Sequence, residues 1–162
     1  MGSAVPEGAA RAAEALERAT TVPDLLRAAS VALVELLEAC ACTISRVVGD
    51  VLVVLSEYAP AGESLQLGHG FLIPDFPLTQ EVIGRGESRV VSILDDDPDP
   101  EEIALLEELG FDSLLMIPLA VSGQCWALVE IYARGRATFP SEHVTLAEGL
   151  VARTGELVEQ LL

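Results

Sequence analysis

Residues 109–132 read LGFDSLLMIPLAVSGQCWALVEIY, and this stretch decides the fold. Gly110 is placed to end a preceding helix, because a residue without Cβ enters the left-handed region at little cost. Two apolar runs follow, Ser113–Val121 and Gln124–Ala133, and Ser122-Gly123 between them predicts the turn of a hairpin. Strands that are apolar at nearly every position are typical of a sheet covered on both faces. The stretch therefore predicts two central strands of a sheet that lies between two layers.

Further elements are predicted on both sides of this hairpin. Apolar spacing or helix-forming composition predicts helices over residues 9–19, 21–39, 79–84, 101–109 and 141–162. Extended apolar runs predict strands over residues 41–48, 51–58, 64–73 and 89–94. We expect one core, since a chain of this length buries about 70% of its unfolded surface. The predicted organisation is a helical extension over residues 1–20 and one domain over residues 21–162.

Composition and hydropathy favour a cytoplasmic location. Apolar residues make up 51% of the chain and the mean hydropathy is +0.43, yet charges interrupt every long run. No segment reaches the roughly 18 uninterrupted apolar residues that a membrane span requires. Residues 1–7 have neither the basic start nor the apolar stretch of a signal peptide. We therefore expect a cytoplasmic protein with no membrane partner.

The charge balance argues against a polyanionic partner such as nucleic acid. The net charge is −17, with 26 acidic residues against 9 basic ones, all of them arginine. A polyanion is bound by basic side chains that displace its counterions, and this chain has few of them. We expect no nucleic-acid partner, and we attribute the acidity to solvated faces.

Three cysteines and an acidic loop are the candidates for thiol or metal chemistry. Cys40, Cys42 and Cys125 are odd in number and follow no export signal, so we expect reduced thiols that pack as small apolar side chains. The aspartates between positions 95 and 99 lack the glycine and the terminal glutamate of an EF-hand loop. We predict a solvated turn that caps the next helix, and no metal site.

The last predicted helix carries an apolar stripe. Ala147, Leu150, Thr154, Leu157 and Leu161 stand at alternating spacings of three and four, and Val151 and Val158 widen the stripe. Such a stripe fits a helix packed on its own sheet, and it fits a short coiled coil between two chains equally well. The two arrangements are compatible with each other, and we predict a homodimer through the N- and C-terminal helices.

The order of these elements resembles the GAF domain family. The resemblance covers residues 23–162, and its most specific piece is GFDSLLMIPL at 110–119 together with the strand after Gly123. GESRVV at 86–91 and FPSE at 139–142 stand in matching order. The resemblance implies a PAS-related α+β fold with a central antiparallel sheet of five or six strands. The terminal helices would pack on one face, and loops and short helices would cover a ligand pocket on the other.

The same resemblance implies a role in bacterial signalling. GAF domains commonly bind a small molecule, dimerise through their terminal helices and pass a signal along the last helix. Their output is a fused or partner domain, such as a histidine kinase, a cyclic-dinucleotide enzyme or a transcription regulator. A fold alone does not say which of these applies.

The ligands known for this family fit these residues poorly. Cyclic-nucleotide-binding relatives carry an Asn-Lys-Phe-Asp-Glu signature, and this chain has neither asparagine nor lysine. Bilin-carrying relatives use a cysteine near a pocket loop, whereas the three cysteines fall at a helix-to-strand junction or just inside a strand. Haem-binding relatives use a pocket histidine, and of His69 and His143 only His69 is placed to face a pocket. The cofactor stays unknown.

One face of the last predicted strand marks the candidate site. Alternation places Trp126, Leu128, Glu130 and Tyr132 on one face and Cys125, Ala127, Val129 and Ile131 on the other. The second set is small and suits a packed helix, so Glu130 would face the pocket. There its carboxylate needs a partner, which is Arg46 in an ion pair, a ligand amine or water. The predicted ligand-binding residues are Arg46, Tyr58, Phe71, Phe76, Ser113, Trp126 and Glu130.

We interpret the chain as a non-catalytic sensory or regulatory domain that binds a small molecule, dimerises or does both. One alternative is a ligand-free interaction module whose cavity is filled by Trp126, Phe71 and their neighbours. Another is a thiol redox sensor or an enzyme similar to the free methionine-(R)-sulfoxide reductases of the family. Neighbouring antiparallel strands would hold Cys42 and Cys125 at opposite ends, too far apart for a disulfide.

Overall fold

A six-stranded antiparallel sheet forms the centre of the molecule. The structure is a computed structural model that describes residues 4–61, 70–95, 99–135 and 138–162, with side chains from residue 8 onward. Its helices are α1 (Ala4–Arg18), α2 (Val22–Leu37), α3 (Pro77–Arg85), α4 (Pro100–Leu109) and α5 (Ser141–Leu161). Its strands are β1 (Ala41–Val48), β2 (Val51–Tyr58), β3 (Gly70–Leu72), β4 (Arg89–Ser92), β5 (Ser113–Val121) and β6 (Gln124–Ala133).

The strands lie in the order β3-β2-β1-β6-β5-β4, and each pairs antiparallel with its neighbours. The predicted α+β class and antiparallel sheet are confirmed, and the strand number is six. Of the predicted third strand, 64–73, only the part from residue 70 onward lies within the described residues. None of the described helices is long and apolar enough to cross a membrane.

Three helices, α1, α2 and α5, cover one face of the sheet. Their apolar side chains and those of the central strands form the helix-side core, which includes Leu16, Leu26, Leu33, Ile44, Leu115, Ile117, Val129, Ile131, Val151 and Val158. Helix α1 contributes Ala12 and Leu16 to this core, so it packs in the same layer as the other two helices.

Local signals in the sequence set the ends of these helices. The Thr21 side chain caps α2 by accepting a hydrogen bond from the Asp24 amide at 3.2 Å. Asp99 caps α4 in the same way, accepting from the Glu101 amide at 3.1 Å. Gly110 ends α4 with a φ of 79°, the left-handed conformation predicted for it.

The apolar stripe of α5 packs on the protein's own sheet. Ala147, Val151, Thr154 and Val158 are buried within the chain, while Leu161 is 36% exposed. Helix α5 comes so close to β5 that a Cβ on Gly155 would lie 2.2 Å from the Ala120 carbonyl oxygen. Packing within the chain therefore accounts for this stripe.

The 3-10 turn Ile73–Asp75, α3 and α4 cover the other face of the sheet. The pocket-side core beneath them includes Leu52, Ile73, Val82, Leu106, Phe111, Leu114, Met116, Leu128 and Tyr132. The two cores lie on opposite faces because alternate residues of β5 and β6 point in opposite directions.

Two bulges interrupt this alternation. In β2, Ile44 pairs with Ser56 and Ser45 with Val54, which leaves Leu55 as the extra residue. In β6, Leu119 pairs with Ala127 and Ala120 with Cys125, which leaves Trp126 as the extra residue. An extra residue shifts the alternation on one side of the bulge to the opposite face.

Candidate functional site

A small cavity lies between the pocket-side face of the sheet and the helices α3 and α4. Its volume is about 30 Å³. It is lined by Thr43, Leu52, Val54, Phe71, Phe76, Thr79, Glu102, Leu105, Leu109, Glu130 and Tyr132. A cavity of this size accommodates a water-sized group, whereas pockets for whole drug-sized ligands measure about 300–1,000 Å³. In this conformation the cavity has room for one end of a ligand.

Two carboxyl groups, from different elements, line the cavity. Glu102 lies in the first turn of α4, is 1% exposed and accepts a hydrogen bond from the Thr79 hydroxyl of α3. Glu130 lies in β6, opposite Thr43 of β1, and accepts a hydrogen bond from the Tyr132 hydroxyl at 3.3 Å. The sheet and its covering helices each supply one acid to the same space.

Burial changes the acidity of both groups. It raises the pKa of Glu130 to about 8, and the negative charge of Glu102 adds to the shift while the Tyr132 hydrogen bond opposes it. Burial also raises the pKa of Glu102, and the Thr79 hydroxyl partly offsets this. Asp99 and Glu101 raise it further. Near neutral pH the Glu130 carboxyl therefore holds a proton unless a cation takes the proton's place.

Aromatic rings form part of the cavity wall. Phe71 and Phe76 meet edge to face, with ring centroids 6.3 Å apart. Tyr132 packs against Phe111, with ring centroids 5.0 Å apart. Phe71, Phe76 and Tyr132 line the cavity, and aromatic rings of this kind can attract a nearby cation.

Three of the seven predicted ligand-binding residues line this cavity, namely Glu130, Phe71 and Phe76. The structure brings them together with Glu102 and Tyr132 around one small cavity. The other four, Arg46, Tyr58, Ser113 and Trp126, lie away from it.

The predicted position of Arg46 beside Glu130 was wrong. Arg46 shares a strand face with Cys42 and Ile44, which belong to the helix-side core, and Thr43 is the residue opposite Glu130. The Arg46 guanidinium lies 4.6 Å from the Trp126 ring centroid and donates to the Trp126 carbonyl at 2.9 Å. The sheet itself separates this cation from the cavity.

The predicted positions of Trp126 and Tyr58 on the pocket face were also wrong, and the bulges are the reason. Trp126 is the bulged residue of β6 and packs against the helix-side core. Tyr58 follows the bulge at Leu55, packs against the same core and lies under the Arg27 guanidinium, 5.0 Å from its ring centroid.

Ser113 was placed wrongly for a different reason. It precedes Leu115 and Ile117 in an unbroken part of β5, so it shares their helix-side face. Its hydroxyl is buried and has no hydrogen-bond partner among the described residues. Leu114 and Met116, on the opposite face, are the β5 residues in the pocket-side core.

Sequence reasoning missed Glu102 and Thr79. A signal for Glu102 was present, because it stands four residues before Leu106 and seven before Leu109, on the inward stripe of α4. A carboxyl on the apolar face of a helix is rare unless it has a partner. Thr79 carries no comparable signal.

Neither the cysteines nor the described histidine line the cavity. Cys42 lies in the helix-side core, where burial raises the pKa of its thiol to about 12. Burial also raises the pKa of the Cys125 thiol. His143 lies in the first turn of α5, and His69, the one histidine whose sequence position allowed it to face a pocket, lies outside the described residues.

The fold and the cavity define a class of protein. Its members are α+β domains whose antiparallel sheet has terminal helices on one face and a small, mostly apolar cavity on the other, here with two carboxyl groups in its wall. The sequence profile of the GAF domain family matches residues 21–157. The chain belongs to the GAF domain family. A search of curated proteins gave no significant match.

Solved structures with the same fold come from bacterial phytochromes. The photosensory core module of the Stigmatella aurantiaca phytochrome superposes with a TM-score of 0.82 at 17% identity, over 97% of this chain and 36% of that one. The chromophore-binding domain of the bacteriophytochrome RpBphP3 from R. palustris gives 0.84 at 12% identity, over 99% and 63%. The chain thus spans between about one third and just under two thirds of these structures, which share its fold.

Proposed function

We propose that this GAF domain is a non-catalytic sensory or regulatory module of a bacterial signalling protein. In this proposal the cavity takes part of a small molecule, and α5 carries the response to a fused or partner output domain. The observation that carries the proposal is the cavity itself, which two carboxyl groups line from opposite walls. Burying two carboxyl groups with no arginine or histidine among the described lining residues costs stability, which favours a role in binding over a purely structural one.

Contacts between the two layers favour α5 as the responding element. The Ser88 hydroxyl, in the segment after α3, donates to the Glu148 carboxylate of α5 at 2.8 Å. At the other end of α5, the Ser122 hydroxyl of the β5-β6 turn donates to Glu159 at 2.9 Å. A ligand that displaces α3 would therefore change the contact between Ser88 and Glu148 of α5. Such a local change can shift the equilibrium between two positions of a long helix.

The absence of catalysis in this proposal rests on the cysteines. Cys42 pairs with Ile131, and Cys125 lies six residues earlier on the same strand β6. At about 3.4 Å per residue the two thiols are about 20 Å apart along the strands, well beyond disulfide reach. A deeply buried thiol with a raised pKa is also a poor nucleophile.

Native mass spectrometry of the full chain, purified without denaturation, tests ligand binding. We expect an added mass that disappears on denaturation and that is reduced in Glu130→Gln, but not in Glu108→Gln on the exposed face of α4. A metabolite panel in a thermal-shift assay provides the second arm. If no mass is retained and no metabolite stabilises the protein, the ligand-free interaction module is the better reading.

A further inference from the structure

We propose that the cavity binds the ammonium group of a small primary amine, held between Glu102 and Glu130. This inference rests on the proposed function, because it names the chemical class of ligand for the same cavity. Four observations support it: the charge of the lining, the size of the space, the available hydrogen-bond acceptors and the aromatic wall.

Among the residues that the structure describes, the ionisable part of the lining is acidic and has no basic counterpart. Its two ionisable acids are Glu102 and Glu130, and none of the described lining residues is arginine or histidine. Arg46 is on the opposite face of the sheet, and Arg85 and Arg89 pair with Glu81 on α3. An anion would raise the cost of ionising either acid, because like charges close together repel each other strongly away from bulk water. A cation supplies the missing charge.

The size of the space selects among cations. About 30 Å³ accommodates a group the size of water. An ammonium group meets this limit, whereas a guanidinium or a quaternary ammonium does not. The remainder of a larger amine would extend past Phe71 and Phe76, whose rings stabilise a nearby positive charge.

The hydrogen bonds already present leave acceptors for such a group. The Thr79 and Tyr132 hydroxyls donate to the carboxylates of Glu102 and Glu130, so each carboxylate is oriented by a neighbour. An ionised carboxylate has about four lone-pair sites, and one donor to each leaves the others for a ligand. An ammonium with three N–H donors can therefore bridge the two acids.

Protonation makes binding depend on pH. The titratable groups that face Glu130 across the cavity are Glu102 and Tyr132. Burial and the charge of Glu102 raise the pKa of Glu130 to about 8 although the Tyr132 hydrogen bond lowers it, so the empty site keeps a proton at neutral pH. An alkylammonium has to displace this proton, while it keeps its own until about pH 10. We therefore expect affinity to rise with pH between 6 and 8, by at most about tenfold per unit.

Titration of the full chain with methylammonium chloride, followed by two-dimensional amide NMR at pH 8, tests the proposal. We expect saturable shifts at Thr43 and Thr79 that sodium chloride does not produce. Glu130→Gln and Glu102→Gln should each weaken binding at least tenfold, and Glu108→Gln should leave it unchanged. Tetramethylammonium, which is too large, and acetate, which is an anion, should not bind.

The outcomes separate the two proposals. If acetate, methanol or a retained metabolite without an amine binds and methylammonium does not, the amine class is wrong and ligand binding stands. If methylammonium binds both glutamine variants as tightly as the wild type, the assigned site is wrong. If no probe binds and no mass is retained, both proposals fail. Glu102 is fully buried, so its replacement could unfold the protein, and the amide spectrum of each variant is recorded first to establish that the variant is folded. If Glu102→Gln is unfolded, the result for Glu130→Gln alone decides whether the assigned site is right.

Discussion

At the scale of single residues, the environment decides what each acid does. Glu130 and the exposed Glu108 have the same side chain, but only Glu130 faces a cavity that a second carboxyl group also lines. Burial and the charge of Glu102 both favour its neutral form. Glu130 therefore links the protonation of the cavity to the stability of the fold.

Replacing Glu130 with glutamine should change how stability depends on pH. A carboxyl whose pKa rises from about 4.5 unfolded to about 8 folded binds more protons in the folded state, so stability falls as pH rises through this window. Glutamine does not titrate. We expect Glu130→Gln to be the more stable protein at pH 9, by about 1–3 kcal/mol, and to have a flatter profile from pH 5 to 8.

Thermal unfolding across this pH range measures the effect, with Glu108→Gln as the matched control. The control should follow the wild-type profile because its carboxyl is exposed on the outer face of α4. A Glu130→Gln profile parallel to that of the wild type would show that Glu130 ionises in the folded protein as it does in water.

Thr79 is expected to stabilise the second acid. Its buried hydroxyl donates to Glu102, and valine has the same shape without the donor. Thr79→Val should therefore lower the free energy of unfolding by about 1–3 kcal/mol, since a buried carboxyl loses its partner. Urea unfolding at pH 8 measures the loss. The exposed Thr145→Val on α5 should change stability by less than about 0.5 kcal/mol.

At the scale of elements, apolar patterns predicted the order of helices and strands, and bulges limited what they could predict about the site. The hairpin of β5 and β6 follows from Gly110 and the Ser122-Gly123 turn, and both glycines have a positive φ. Face assignments failed where Leu55 and Trp126 interrupt the alternation. An extra residue in a strand becomes visible only when its pairing partners are known.

Register explains the remaining errors at the site. Nothing in the sequence of β1 says whether Thr43 or Arg46 faces Glu130, because the choice depends on which residues pair across the sheet. The face of Ser113 likewise depends on which side of β5 the long helices cover. The pocket-facing position of Glu130 was predictable from the alternation within its own strand. Which residues lie beside Glu130 depends on pairing between strands that are distant in the chain.

The close contact between α5 and β5 gives a prediction at this scale. A Cβ on Gly155 would lie 2.2 Å from the Ala120 carbonyl oxygen, which is backbone and cannot turn away. Gly155→Ala should therefore push the helix from the sheet and lower the free energy of unfolding by about 2–3 kcal/mol.

Gly149 on the same helix is the matched control. Nothing lies within 4 Å of a Cβ at that position, and alanine is the better helix former. Gly149→Ala should raise stability by about 0.5–1 kcal/mol in the same urea experiment. If the two variants change stability alike, α5 does not approach the sheet as closely as described.

At the scale of the whole molecule, the terminal helices complete the core, and α1 borders an open groove. The stripe of α5 is buried in its own chain, so it is not available as a coiled-coil seam. An open groove remains along α1 and α2, lined by small or partly exposed residues that include Ala12, Ala15, Ala28 and Val31. Small side chains allow helices to approach closely, which makes this groove the expected contact in the predicted homodimer.

The net negative charge of the chain should make formation of the predicted dimer depend on salt concentration. Each chain carries −17, so two chains repel each other at low ionic strength. We expect sedimentation equilibrium to give a mass near twice 17.1 kDa at high micromolar concentration, with tighter association at 0.5 M than at 0.05 M salt, because salt screens the repulsion. Val31→Glu should produce monomers, whereas Val48→Glu, on the exposed β1-β2 hairpin, should not. A wild-type protein that stays monomeric at both salt concentrations would refute the dimer, and a dimeric Val31→Glu would place its interface elsewhere.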